Sequence, residues 1–472
     1  MLAASGPAAA AVHAGTWTVG YRTPAALRGM HVVRTIPALR VAVVRGPVRR
    51  GPGIRFVQRL VERRSTAEPA LATVARGIPY EWQWTAVHEE AVPDWVLRAA
   101  SAVTIAVVDT GADLSTPDLA AKAPAAYNVR TGTPNVRDTN GHGTFVATLA
   151  AGSVTNADGI AGFGGDAKLL VIKAGGHGGS FSDIDEASAI VYAVDHGAQI
   201  VNLSLGGPRT SQTEQNAIAY AAAHGVLLVA AAGNELGSGD AAEYPAALIQ
   251  PLGSKGRGGV GLAVGASTQG GGHASFSNAG SYLSLAAPGQ NVFSAVSALA
   301  PAAAYPRTPL PGSLSGAYGF ASGTSFAAPE VAGAAALVWA ANPLLNAQQV
   351  ADVLKKTAQG KGGWNPELGF GVIDVAAAVA AASGRPTVDL SAVRDSLGVR
   401  LHWQVYGSAA RFQVAVSRDG GPAQVVVGST TQTVAAFALT PGHDYDFTVN
   451  ALDASGAVTG SSLPYRVTLS TR

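Results

Sequence analysis

The feature that most limits the fold is a series of short, nearly continuous apolar runs in the middle of the chain: Val103 to Val108, Leu169 to Ile172, Ile200 to Leu205 and Val226 to Ala231. A strand with one wet face alternates apolar and polar residues, whereas a strand covered on both faces reads as one apolar block. Segments with helical spacing lie between the blocks, at His142 to Ala151, Ile184 to His196 and Thr213 to His224. This βαβ alternation predicts an α/β domain with a parallel sheet over residues 80–382.

Composition supports a folded, multi-domain chain. Of 472 residues 47% are apolar and only 13% charged, which excludes a disordered polyampholyte. No purely apolar run reaches about 18 residues, so no membrane span is expected. The absence of cysteine removes thiol catalysis, disulfides and thiolate-bound zinc from consideration, and leaves the redox compartment open.

The flanks differ from the centre. Residues 16–76 hold short apolar runs (Trp17 to Tyr21, Val32 to Ile36, Leu39 to Val44) and a helix-like Phe56-Val57-x-x-Leu60-Val61, enough for a small α+β module. Ser65 to Pro79 reads as an exposed connector. Beyond Ser383 to Thr387 the pattern changes to short alternating strands separated by turns such as Asp419-Gly420-Gly421, predicting an all-β sandwich over 388–472.

Three separated segments carry the chemistry: Val107-Val108-Asp109-Thr110-Gly111, Asn140-Gly141-His142-Gly143-Thr144 and Ser322-Gly323-Thr324-Ser325-Phe326-Ala327-Ala328-Pro329. Asp109 ends an apolar strand, where a carboxylate is costly unless hydrogen-bonded. His142 lies between two glycines at a predicted helix start. Ser325 opens a helix whose dipole favours negative charge developing nearby. Together they supply the carboxylate, imidazole and hydroxyl that nucleophilic acyl transfer requires. Taken singly, each has a plain structural reading as a turn, loop or cap residue; the combination points to catalysis. Ala327 stands where a Gly-x-Ser-x-Gly elbow would have glycine, which disfavours an α/β-hydrolase. Gly256-Arg257-Gly258-Gly259-Val260-Gly261 matches a dinucleotide fingerprint but precedes an apolar strand instead of following one, and reads as a loop.

The Asp-His-Ser order and the residues around each member resemble the subtilisin-like serine proteases. The resemblance implies that Asp109, His142 and Ser325 form the triad. It also implies that Asn234, in Ala230-Ala231-Ala232-Gly233-Asn234-Glu235, donates to the oxyanion with the Ser325 backbone N–H. Ser204, Leu205 and Gly206, facing Ala231, Ala232 and Gly233, would line the primary specificity pocket, with Glu235 near its rim. Gly179, in Gly178-Gly179-Ser180-Phe181, would edge a groove that pairs with an extended polypeptide substrate. The chemistry would need no cofactor; a structural calcium is implied at Asp118 with Val154, Asn156 and Ile160.

In the same frame, residues 16–76 resemble a propeptide that acts as an intramolecular inhibitor. Residues 1–76 hold 12 Arg against 2 Glu, and the rest of the chain 20 Lys plus Arg against 28 acids. That complementarity suits docking of one part on the other, and the arginines alternate with apolar residues instead of clustering as in a nucleic-acid-binding arm. Residues 1–15 resemble the end of a secretory signal peptide or form a tail, so secretion is expected, as a monomer. Trp403 and Leu439-x-Pro441-Gly442-x-x-Tyr445 resemble a fibronectin type III domain with its tyrosine corner. The expected function is a secreted, self-processing serine endopeptidase. Two alternatives remain: a dedicated maturation protease for one precursor, and an inactive surface binding protein.

Overall fold

The computed structural model describes residues 15–48, 50–65, 80–156, 158–310, 317–394 and 398–468. The expected connector therefore lies outside the described residues except at Ser65, as does the start of the chain to Ala14.

The N-terminal region forms an antiparallel sheet of β1 (Thr16–Tyr21), β2 (His31–Ile36), β3 (Val41–Arg45) and β4 (Ile54–Arg59), in the order β2-β3-β1-β4. The helix expected from Phe56 to Val61 is instead strand β4. The Phe56 ring packs against Gly20 of β1, so close that a Cβ there would sit 2.3 Å from the ring. This cross-strand packing overrides the helical spacing. Helix among the described residues of this region is confined to two short 3-10 turns, Pro24–Leu27 and Pro37–Leu39. A further strand, β5 (Glu62–Ser65), leaves this sheet altogether.

The centre is a seven-stranded, wholly parallel sheet: β6 (Thr104–Asp109), β7 (Ala125–Asn128), β8 (Lys168–Lys173), β10 (Ile200–Leu203), β12 (Leu227–Ala231), β13 (Gly261–Ser267) and β14 (Leu285–Pro288). Its order is β14-β13-β12-β10-β6-β8-β7. The first three strands in sequence build one side, and the chain then crosses to the other flank of β6. Ligands of such sheets gather at the carboxyl ends of the strands where the direction of winding reverses; Asp109 ends β6 at that point. The run Ile200 to Leu205 divides at Ser204: β10 stays in the parallel sheet, and β11 (Leu205–Gly206) turns out into another.

Helices cover both faces, giving two apolar cores. One is organised by the helix Thr324–Ala341, in which 16 of 18 residues are buried. Its alanines, and Gly333 pressed against Phe163, let it run against its neighbours at close range. The other core lies under helices Asp183–Asp195 and Gln212–Ala223, and takes in Ile36, Leu39, Val41 and Val43 of the N-terminal region. Arg34 reinforces that docking, 2.8 Å from Asp185. The Gly256 to Gly261 loop leads into β13, as its position in the sequence implied.

The C-terminal region holds two antiparallel sheets, one of Thr387–Arg394, Gly398–Tyr406 and Val434–Ala438, the other of five strands centred on Arg411–Arg418 and Asp444–Leu452. Trp403, Phe412, Val414, Phe447, Val449 and Val467 fill the space between them. The Tyr445 hydroxyl accepts the Thr440 N–H at 3.1 Å, a bond back to the backbone five residues upstream.

Candidate active site

Asp109, His142 and Ser325 come from the end of β6, the start of helix His142–Ala151 and the start of helix Thr324–Ala341, and none has exposed surface. Residues far apart in sequence thus meet at one end of the sheet. His142 Nδ1 lies 2.8 Å from Asp109 Oδ1 and 3.0 Å from Oδ2. The acceptor-only carboxylate sets the tautomer: Nδ1 carries the proton, and Nε2 is the basic nitrogen.

Glycines on either side of the imidazole have separate causes. Gly141 has φ 103°, and a Cβ there would strike Ala300 at 2.5 Å. A Cβ on Gly143 would fall 2.1 Å from the Gly111 carbonyl and 3.0 Å from Asp109 Oδ1. Only glycine lets the helix begin this close to the carboxylate. Asp138, which sequence reasoning missed, ties the loop together. Its fully buried carboxylate accepts from the N–H groups of Asn140, Gly141 and Thr144 and the hydroxyls of Thr110 and Thr144. Thr110 in turn receives the Gly143 N–H at 3.0 Å. The signal was present as an Asp two residues before Asn140, a pattern suited to turn formation.

Asn234 follows β12. Its side-chain oxygen accepts the Thr324 N–H and hydroxyl, each at 2.9 Å, which commits the oxygen and leaves the amide NH2 group as the donor. The Thr324 hydroxyl accepts the Gly233 N–H at 3.1 Å, locking the two segments. Ser204 acts similarly from between β10 and β11: its hydroxyl donates to the Ser325 carbonyl at 2.7 Å and accepts from Asn202 at 2.9 Å.

Beside these residues lies a three-stranded antiparallel sheet, in the order β11-β5-β9, where β9 is Ser180–Ser182. Strand β5 of the N-terminal region is the middle one. Leu205 and Gly206 pair with Ser65 and Arg64, and the Gly179 carbonyl accepts the Ser65 N–H at 2.8 Å. A cavity of about 460 Å³ opens alongside, between Arg64 and Ser65 on one wall and Gly206, Gly207, Pro208 and Glu235 on the other. It also contains Glu243, whose carboxyl is pushed up to about 8 by burial and by Glu235. Ala231, Ala232 and Gly233 are buried and do not line it.

The chain's sequence agrees with this geometry. The sequence model of the subtilase family, Peptidase_S8, matches residues 100–371. The alkaline protease of Alkalihalobacillus alcalophilus is 36% identical over 74% of this chain and 81% of its own length. Subtilisin Savinase of Lederbergia lenta is 39% identical over 59% of this chain and 91% of its own. The chain belongs to the subtilase family. It is a subtilisin-like serine endopeptidase acting on polypeptides, and the chemistry of subtilases needs no cofactor. The crystal structure of fervidolysin from Fervidobacterium pennivorans, described as a keratinolytic enzyme related to subtilisin, superimposes with a TM-score of 0.64. At 23% identity, over 96% of this chain and 76% of that one, it supports the fold. Among the described residues of this subtilase, no helix is long and apolar enough to cross a membrane.

The residues implied for calcium lie apart from the triad. Asp118 is fully buried in the first turn of helix Pro117–Lys122, accepting the Ile160 N–H at 2.6 Å and the Tyr318 hydroxyl at 3.0 Å. Burial pushes its carboxyl up to about 6, opposed by those bonds. Glu81, which sequence reasoning did not place here, is pushed up to about 7 by burial and by Asp118. The side-chain nitrogen of Asn156 is buried with no hydrogen-bond partner among the described residues. Val154 belongs to the same loop, in which residue 157 lies outside the described residues.

Proposed function

We propose that this subtilase is a secreted endopeptidase made as a self-processing zymogen, with Ser325 as nucleophile, His142 as general base and Asp109 as the group that orients it. The observation that carries the reading is the His142–Asp109 contact, with Nδ1 within 3.0 Å of both carboxylate oxygens, at the site where the Ser325 helix begins. The Ser325 Oγ–H proton passes to His142 Nε2 as the Oγ–carbonyl carbon bond forms and the carbonyl electron pair moves to oxygen. Asn234 and the Ser325 N–H then hold that oxyanion. Collapse expels the amine, which takes the proton from His142, and water repeats the sequence to release the acid.

Strand β5 supports the zymogen reading, since it lies between β9 and β11 as an extended substrate would by β-augmentation. Ser204, Leu205, Gly206 and Gly179 are then groove residues, with Ala231, Ala232 and Gly233 behind them. The C-terminal region is read as a fibronectin type III-like sandwich, supported by the Tyr445–Thr440 bond. Asp118, Asn156 and the backbone at Val154 and Ile160 would hold a calcium ion. Asp118 raises the buried Glu81 and is itself raised by burial and by Asp158, and a bound cation would relieve that charge.

Intact masses of purified wild type and Ser325→Ala test the central claim. Loss of the N-terminal ~65–80 residues, ending in the predicted connector, is expected in wild type alone. Equal trimming of both would mean that another protease does the processing, and full length in both would remove the self-processing claim.

A further inference from the structure

Arg63 is fully buried, and by volume it heads the completely buried side chains among the described residues. It projects from the middle of β5 onto two glutamates of the catalytic domain. Its Nη2 lies 2.7 Å and its Nε 3.1 Å from Glu214 Oε1, and Nε is 3.3 Å from Glu186 Oε2. Its Nη1 reaches the Glu62 carbonyl at 3.3 Å. Both glutamates have no exposed surface.

The two helices that carry them present the carboxylates by construction. Glu214 is the third residue of helix Gln212–Ala223 and completes a capping box with Ser211, its second oxygen taking the Thr210 hydroxyl at 2.7 Å. Glu186 lies in the first turn of helix Asp183–Asp195, where burial and Glu214 push its carboxyl well above the usual range while Arg63 pulls it down. Asp183 stands beside them, accepting the Val61 N–H at 3.2 Å. A buried carboxylate pair without a counter-charge is strongly unfavourable. An ion pair serving the catalytic domain alone would draw its cation from that domain. Here the cation arrives on a strand that lies in the substrate groove and, on the reading above, is removed.

We propose that Glu186 and Glu214 form a subsite of the groove that takes an arginine side chain from the substrate strand, at the place Arg63 holds, so that the mature enzyme selects polypeptides with arginine there. Arg63 is the zymogen's own occupant of that subsite. The inference rests on β5 lying as a substrate lies. It adds what the groove selects.

The test uses the processed wild-type enzyme and fluorogenic peptides with the sequence of residues 58–74, carrying arginine, lysine, leucine or the neutral isostere citrulline at position 63. Cleavage sites are mapped by mass. Replacing arginine by citrulline or leucine is expected to lower kcat/KM roughly 30-fold or more, chiefly through KM, as when one partner of a buried charge pair is lost. In Glu186→Gln/Glu214→Gln the arginine and citrulline peptides should be cleaved alike; a small ester that does not reach the groove reads the wild-type enzyme's chemistry apart from the subsite. Wild-type enzyme that cleaves all four peptides within threefold of one another, about 0.65 kcal/mol, would overturn the subsite and leave the protease reading intact. An enzyme that hydrolyses neither peptides nor the ester would overturn both. The peptide series needs no variant, so a misfolded double mutant does not spare the proposal.

Discussion

Asp109→Asn isolates the electrostatic part of the site from its shape. The wild-type carboxylate accepts the Thr110 N–H at 2.6 Å and meets His142 Nδ1 at 2.8 Å and 3.0 Å. An asparagine keeps one acceptor oxygen, and the short Thr110 contact claims it. The amide NH2 group then faces Nδ1, which must become an acceptor, and the proton moves to Nε2. A protonated Nε2 cannot receive the Ser325 proton. The expected cost is the loss of the correct tautomer, a drop of about 10⁴ in kcat, or roughly 5.4 kcal/mol at 1.36 kcal/mol per decade. The substitution is nearly isosteric and removes a buried charge, so thermal stability should hold or rise. The assay is turnover of a fluorogenic peptide by the variant, with circular dichroism and melting to establish the fold. A folded variant within tenfold of wild-type kcat would refute the tautomer argument and the role given to Asp109.

Other outcomes follow from neighbouring contacts. Asn234→Ala should lower kcat about 10²–10³-fold with little change in KM, the effect known for the corresponding donor of subtilisin; a larger change in KM than in kcat would remove it from the oxyanion hole. Gly143→Ala places a Cβ 2.1 Å from the Gly111 carbonyl and should cost about 1–3 kcal/mol by overpacking, read by denaturant unfolding; an unchanged midpoint would contradict the stated reason for that glycine. Asp118 gives a pH test in chelator. Its folded pKa, about 6, lies above the ordinary 3.8, so its protonated form favours the folded state below pH 3.8, and that advantage is lost as pH rises through 6. The difference amounts to roughly 3 kcal/mol. Asp118→Asn should therefore melt higher than wild type at pH 8 but not at pH 3.5, and added calcium should raise the wild type alone. Identical melting of both proteins at pH 8, with and without calcium, would dismiss the strained carboxylate and the calcium reading together.

Most of the sheet was legible because strands buried on both faces leave little choice of residue. β6, β8, β10 and β12 all fall within or beside the apolar runs. Strand β4 was misread because Phe56, Val57, Leu60 and Val61 fit a helical spacing, and only the contact of Phe56 with Gly20 decides against it. Asp138 was passed over because a loop aspartate is ordinarily solvated, and its role depends on five donors converging on one carboxylate. Glu186 and Glu214 lie in the expected helices, and nothing in their local sequence marks them out as a pair. Their burial depends on a strand from more than 120 residues earlier in the chain.

The sequence alone determined which chemistry was available. One aspartate at a strand end, one histidine between glycines and one serine at a helix start survive as local patterns, because each needs small neighbours and a backbone turn that few sequences supply. It could not determine what these groups face. Parallel strands bring their carboxyl ends together only through crossovers, so the meeting of Asp109, His142 and Ser325 is a property of strand order. The pairing of Arg63 with Glu186 and Glu214 is likewise set by where β5 docks. Charge complementarity between the two parts of the chain was visible in composition, but Coulomb attraction without geometry has no address; the tertiary structure supplied it.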